Sequence, residues 1–214
     1  MSDYDPPRGP LRVLYNDDHI LLVDKPSGLL SVPGKGQHLA DCLMARVQAV
    51  FGEALLVHRL DRDTSGVMVF AMNKPAQRHL GLQFENRQIK KSYVARVWGH
   101  IDEPSGVVDL PLCVDWPNRP LQMVDHENGK QAVTNWQVVH HEANATRVNL
   151  CPETGRSHQL RVHMMAIGHP VLGDPFYAEG PGRDATRLML HAEKLSLRHP
   201  KGGRGLSFVA KCPF

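Results

Sequence analysis

The chain has 214 residues, 42% of them hydrophobic, enough to bury one substantial core and within the usual size of a single domain, so a second large domain is excluded. The formal charge is only +3, which by itself argues weakly for a polyanionic partner. The longest apolar run, Val67 to Met72, is far shorter than the roughly 20 residues that span a bilayer, so no membrane helix and no membrane partner are expected.

Residues 1–10 carry two acids and three prolines with no apolar segment, and read as a flexible arm rather than a signal or anchor; the location expected is cytoplasmic. Arg12–Tyr15 and Ile20–Val23 are short apolar runs around Asn16, Asp17 and Asp18, which predicts a β-hairpin. Lys25 to Gly34 is then a loop. Leu39, Leu43, Val47, Val50 and Phe51 follow helical spacing and Gly52 stops the pattern, predicting a helix over Leu39–Phe51. Leu55–Leu60 and Val67–Met72 read as strands around the polar loop Asp61 to Gly66. Lys74–Glu85, with Pro75 near the first helical position and Ala76, Leu80 and Phe84 four apart, reads as a second helix.

Ser92–Trp98, Val107–Leu112, Ala132–His140 and Thr146–Leu150 are β-rich and separated by Pro, Gly and Asn clusters. Ser157 is expected to cap a helix running to Ile167, with Gly168 at its C-terminal stop. Leu188–Leu197 and Leu206–Ala210 are further apolar segments of undecided type. This order predicts an α+β fold with a mostly antiparallel sheet and flanking helices. Four cysteines, Cys42, Cys113, Cys151 and Cys212, lack CxxC spacing and are expected to be reduced and buried. None of the 13 histidines sits in HExxH, so no metal site is expected.

Charge is unevenly spread. From Lys74 to Gly99 six basic residues stand against Glu85 alone, and Thr154 to His163 holds Arg156, Arg161 and two histidines with no carboxylate. Chemistry concentrates in HRLDRDTSG, His58 to Gly66. Asp61 follows the apolar Leu60 and lies between Arg59 and Arg62, guanidinium neighbours that favour a partly buried carboxylate in its ionised form. Asp63 to Gly66 has the composition of a hydrogen-bonded turn. In GRSHQLRVHM, Arg161 interrupts an apolar helical stretch; it either pairs with a carboxylate, Asp61 being a candidate, or snorkels to solvent. Tyr93, beside Lys90 and Lys91, suits stacking on a base and equally suits packing in a strand.

HRLDRDTSG resembles the signature of the RluA family of pseudouridine synthases, and DKPSGLLSVPG before it, then KKSYVARVWG, TGRSHQLRVHMMAIGHPVLGD and RLMLHAEKL, match further family blocks in family order. The resemblance runs from about Leu11 to the C-terminus. It implies a pseudouridine synthase fold with an RNA-binding cleft, acting without a cofactor. It further implies that Asp61 is the essential aspartate, Tyr93 the aromatic that stacks on the target uracil, and Arg161 the arginine that pairs with the aspartate. Arg59 resembles the residue inserted beside the extruded nucleotide, and Leu190 the apolar contact below the base. Asp24 stands where the family commonly has Asn before KPSG. That block begins after 24 residues, so the S4-like RNA-binding domain of longer relatives is not expected, and residues 11–214 read as one catalytic domain.

The short form, with LPLCVDWPNRP at Leu110 to Pro120, resembles members with dual specificity, whose partners are a tRNA anticodon stem-loop and a 23S ribosomal RNA hairpin. A monomer is expected, since no heptad or large apolar stripe is evident. Two rival readings predict different products. A non-catalytic RNA-binding protein leaves nucleosides unaltered, and a hydrolase using Asp63 as a second acid releases free uracil.

Overall fold

In the computed structural model, which describes residues 4–214, the N-terminal hairpin forms from β1 (Arg12–Asn16) and β2 (Ile20–Lys25), paired antiparallel. Its turn is set by Asp17, whose Oδ1 accepts the N–H groups of His19 and Ile20 at 2.8 and 2.9 Å. Burial raises the Asp17 pKa, but these bonds and those from Tyr15 and His199 outweigh it and hold the carboxyl down at about 2. The chain continues through α1 (Leu43–Phe51), β3 (Leu55–Leu56), β4 (Ser65–Ala71) and α2 (Lys74–Glu85). Next come β5 (Lys90–Trp98), β6 (Ser105–Asp109), β7 (Leu112–Val114), β8 (Gln122–Val124), β9 (Val133–His141) and β10 (Ala145–Pro152). The last elements are α3 (Gln159–Ala166), β11 (Leu190–Arg198) and β12 (Gly205–Val209).

The chain divides into two compact units, one holding the residues up to Lys91 with Ala192–Pro213, the other Ser92–His191 with Phe214. In the first, the strand order is β1-β2-β4-β11, with β3 added to β4 and β12 to β11. β2 and β4 are buried along their whole length, as strands covered on both faces must be, and over 20–23 and 67–71 they read as apolar runs for that reason. α2 lays Ala76 and Leu80 onto Ile20, Leu22, Val67 and Val69. Its N-terminus is capped by the Asn73 side chain, which accepts the Ala76 N–H at 2.9 Å, with Pro at the first turn. Residues 1–3 of the expected arm lie outside the described residues. From Tyr4 the arm is tied down: its hydroxyl donates to Asp41 O at 2.8 Å, and Arg46 donates to Pro7 O at 2.8 Å.

In the second unit the order is β5-β10-β9-β6, and β7-β8 form a separate hairpin. The pairs β1–β2, β2–β4, β3–β4, β11–β12, β5–β10, β9–β10, β6–β9 and β7–β8 are antiparallel. Ala95, Val97, Val148 and Leu150 face Leu160 and Met164 of α3 in one core.

Several expectations need correction. The first helix starts at Leu43, not Leu39: Gln37–Leu39 form a single 3-10 turn and the Cys42 Sγ caps the helix by accepting the Ala45 N–H. The strand expected over Leu55–Leu60 is only Leu55–Leu56, and Ser65 and Gly66 belong to β4 rather than to the preceding loop. Val107–Leu112 is divided between β6 and β7. α3 is entered through His158, in the left-handed region at φ 53°, rather than capped by Ser157. Of the four cysteines only Cys42 is buried, and Cys151 is exposed because it falls on the outward-facing parity of β10.

Candidate active site

The backbone on both sides of Asp61 is held by the loop that follows β2. Ser31 Oγ donates to Leu60 O at 2.6 Å and accepts the Leu60 N–H at 3.1 Å. Beyond Asp61, Arg62 O accepts both the Gly28 N–H at 3.0 Å and the Lys25 ammonium at 2.8 Å, and Ser27 Oγ donates to Asp63 O at 2.7 Å. The segment cannot pair as a strand, so these side-chain bonds do the work of a ladder in satisfying its polar groups. The loop is itself anchored, since Leu30 O and Ser31 O accept the N–H groups of Leu43 and Met44, donors at the start of α1 that have no partner within the helix.

Lys25 is fully buried. Its ammonium donates to Pro26 O, Leu29 O and Arg62 O at 3.0, 2.7 and 2.8 Å, which satisfies all three of its donors on backbone carbonyls. Asp24, the departure from the usual Asn, is buried and accepts Arg12 Nη1 at 2.9 Å. Its role in this chain is therefore to tie β1 to the end of β2.

Two further features fix the segment. His58 Nε2 accepts the Val69 N–H at 3.1 Å, and its ring stacks on Phe84 with centroids 4.8 Å apart. Burial pushes the His58 pKa down to about 3 and the Lys91 ammonium adds to the shift; a ring nitrogen that accepts a backbone amide must lose that bond to take a proton. Burial also brings the Lys91 pKa down to about 8. At Gly66, φ is +118° and a Cβ would stand 2.2 Å from the Ala192 carbonyl oxygen, so only glycine fits at the point where the segment enters β4.

In the second unit, Arg161 is 2% exposed and forms a two-pronged ion pair with Asp174, which is fully buried: Nε to Oδ2 at 2.6 Å and Nη2 to Oδ1 at 2.7 Å. The snorkelling alternative is thereby ruled out. Asp174 Oδ1 also accepts the N–H groups of Phe176 and Tyr177 at 2.9 and 3.2 Å, so a buried charge pair has its remaining lone pairs satisfied. The guanidinium carbon lies 5.3 and 5.1 Å from the ring centroids of Phe176 and Tyr177. Tyr93 and Leu190 belong to the same core cluster as Leu160 and Met164 of α3. The structure thus brings Tyr93, Leu190 and the helix of Arg161 together. Arg59 is exposed and Asp61 half-buried on the braced segment.

Sequence reasoning missed Lys25, Ser31 and Asp174. The first two stand in the motif DKPSGLLSVPG and the third closes GHPVLGD, but nothing local says which distant backbone or guanidinium each one serves.

The α+β scaffold with its largely antiparallel sheet is shared with known pseudouridylate synthases. The RNA pseudouridylate synthase family matches residues 19–166, and the chain belongs to that family. It is 55% identical over its whole length to the dual-specificity RNA pseudouridine synthase RluA of Escherichia coli (strain K12), covering 99% of that protein. To the protein of the same name from Vibrio vulnificus (strain CMCP6) it is 51% identical, again over its whole length, covering 88% of that protein. Among solved structures it resembles human RNA pseudouridylate synthase domain containing 1, with a TM-score of 0.81 and 30% identity over 98% of this chain and 87% of that one. The human domain containing 4 follows at 0.76 and 27%, over 94% and 88%. The chain has the pseudouridine synthase fold and is an RNA pseudouridine synthase, an isomerase whose substrate is RNA. Among the described residues no helix is long and apolar enough to cross a membrane.

Proposed function

We propose that this enzyme isomerises one uridine in a tRNA anticodon loop and another in a hairpin of 23S ribosomal RNA, with Asp61 as its catalytic carboxylate. The observation that carries the dual target is the 55% identity over the full length to a dual-specificity enzyme. Support for Asp61 is the bracing of the residues on either side of it, which holds a side chain in one geometry before the substrate arrives.

The reaction breaks the bond between uracil N1 and ribose C1′ and forms one between C5 and C1′; C5 gives up a proton and N1 gains one, so atoms and electrons balance without a redox partner. The uridine must leave its stack first, which costs a few kcal/mol and least in loops. Arg59, exposed beside the aspartate, is assigned to holding the opened strand, Tyr93 to stacking on the base, Leu190 to its apolar contact and Arg161 to substrate binding. Asp61 opens the chemistry by attack at C1′, by attack on the base, or by taking the C2′ proton to give a glycal. The enzyme acts as a cytoplasmic monomer.

Mass-spectrometric mapping of pseudouridine in tRNA and ribosomal RNA from cells carrying either the intact gene or Asp61→Asn tests this reading. Loss of an anticodon-loop site together with a 23S site is expected, while the purified Asp61→Asn protein still binds both RNAs and Tyr93→Ala binds and reacts more weakly. Loss of one site alone refutes dual specificity, and a fully active Asp61→Asn protein removes the assigned chemistry.

A further inference from the structure

The tip of the β7-β8 hairpin carries an aromatic side chain that no core uses. Trp116 is 67% exposed, although an indole is ordinarily withdrawn from water. The guanidinium carbon of Arg119 lies 3.3 Å from the centre of its ring. With one face covered and most of the residue still accessible, the other face is presented to solvent.

The loop that carries the pair is ordered by its own bonds. Asp115 N–H donates to Leu121 O at 3.0 Å, Asn118 N–H to Asp115 O at 3.1 Å and Leu121 N–H to Asn118 O at 3.1 Å. The loop's one carboxylate, Asp115, accepts Asn118 Nδ2 at 2.9 Å. At its base the hairpin is fixed to the Arg161 region, because the Gln122 N–H donates to the Tyr177 hydroxyl at 2.8 Å and the Tyr177 ring flanks the Arg161 guanidinium. Leu112 and Val124 of the hairpin pack with Val162 and Met165 of α3.

We propose that Trp116, backed by Arg119, is a stacking platform for an unpaired base of the substrate RNA, additional to the residues assigned to the target uridine. The inference rests on the reading of RNA as substrate. An indole accepts the flat face of any base, and a guanidinium behind it supplies positive charge toward the phosphates. A platform of this kind is indifferent to base identity, which is what an enzyme serving two hairpins of different sequence requires of a contact outside its target base. The positive charge held behind the ring suits a nucleic acid, whose phosphates accompany every base it could stack, so a nucleic acid is the occupant it fits.

The test measures binding in the Asp61→Asn background and kcat and KM in the otherwise intact enzyme, for Trp116→Ala, Trp116→Phe and Arg119→Gln, using an anticodon stem-loop RNA and a fully paired duplex of equal length. Trp116→Ala is expected to raise Kd and KM for the stem-loop by about tenfold or more, leave kcat within about twofold and leave duplex binding unchanged. Trp116→Phe retains most of the affinity, and Arg119→Gln loses several-fold and shows a shallower salt dependence. Unchanged Kd in Trp116→Ala overturns the platform, and so does an equal loss on stem-loop and duplex. Failure of the functional reading is a separate outcome: the intact enzyme then forms no pseudouridine in the stem-loop, while the binding comparison still decides the platform.

Discussion

Replacing Ser31 by alanine isolates the bracing of the segment that carries Asp61, the proposed catalytic carboxylate. The hydroxyl is 3% exposed and serves both polar groups of Leu60, donating to the carbonyl at 2.6 Å and accepting the N–H at 3.1 Å. Leu60 is itself 6% exposed, so water has little access to either group once the hydroxyl is gone. Each buried backbone group left unmade costs about 1–3 kcal/mol, and relief from burying the hydroxyl offsets roughly 1 kcal/mol of the pair. The expected loss is therefore about 1–5 kcal/mol, read from the urea midpoint with an unchanged m-value. Because Leu60 is bonded directly to Asp61, the loosened carboxylate is also expected to lower kcat on the order of ten- to a hundredfold, with KM within about threefold. A merely structural role would lower the midpoint and leave the turnover of the folded fraction intact. Stability within about 0.5 kcal/mol of the parent, together with unchanged kcat, would refute the reasoning.

Two further outcomes follow from buried charge. Asp174→Ala strands the Arg161 guanidinium without its carboxylate, and a loss of about 3–5 kcal/mol is expected by chemical denaturation; a loss below about 1 kcal/mol would mean that the pair is not what holds Arg161 in place. His58, with its pKa lowered to about 3 by burial, stays neutral in the folded protein while the unfolded chain takes up a proton below about 6.5. The unfolded state then binds more protons, so stability falls as pH drops from about 6.5 towards 3, by up to about 1.4 kcal/mol per pH unit. Urea midpoints across that range should fall less steeply for His58→Gln than for the parent, and parallel curves would contradict the assignment.

Local pattern was enough wherever a segment's own residues decide its state. α2 is legible to the residue because Asn73 caps it, Pro75 opens it and Ala76 and Leu80 repeat one turn apart on its buried face. The hairpin of β1 and β2 is legible because Asp17 builds the turn from inside the turn. The HRLDRDTSG block stood out because its residue types are conspicuous in series, and the family match followed from five such blocks in order. Arg161 could be read as needing a partner, since a guanidinium among apolar neighbours is costly, but whether it was buried or solvated turned on Asp174, thirteen residues further along.

What the sequence by itself determined was therefore the family and the strand-rich order, both of which rest on residues close together in the chain. Only the tertiary structure decided why residues 57–64 do not extend the strand at Leu55–Leu56. Backbone groups of Leu60, Arg62 and Asp63 are taken by Lys25, Ser27, Gly28 and Ser31 from a loop some thirty residues earlier, and periodicity carries no record of a hydrogen bond made at that separation.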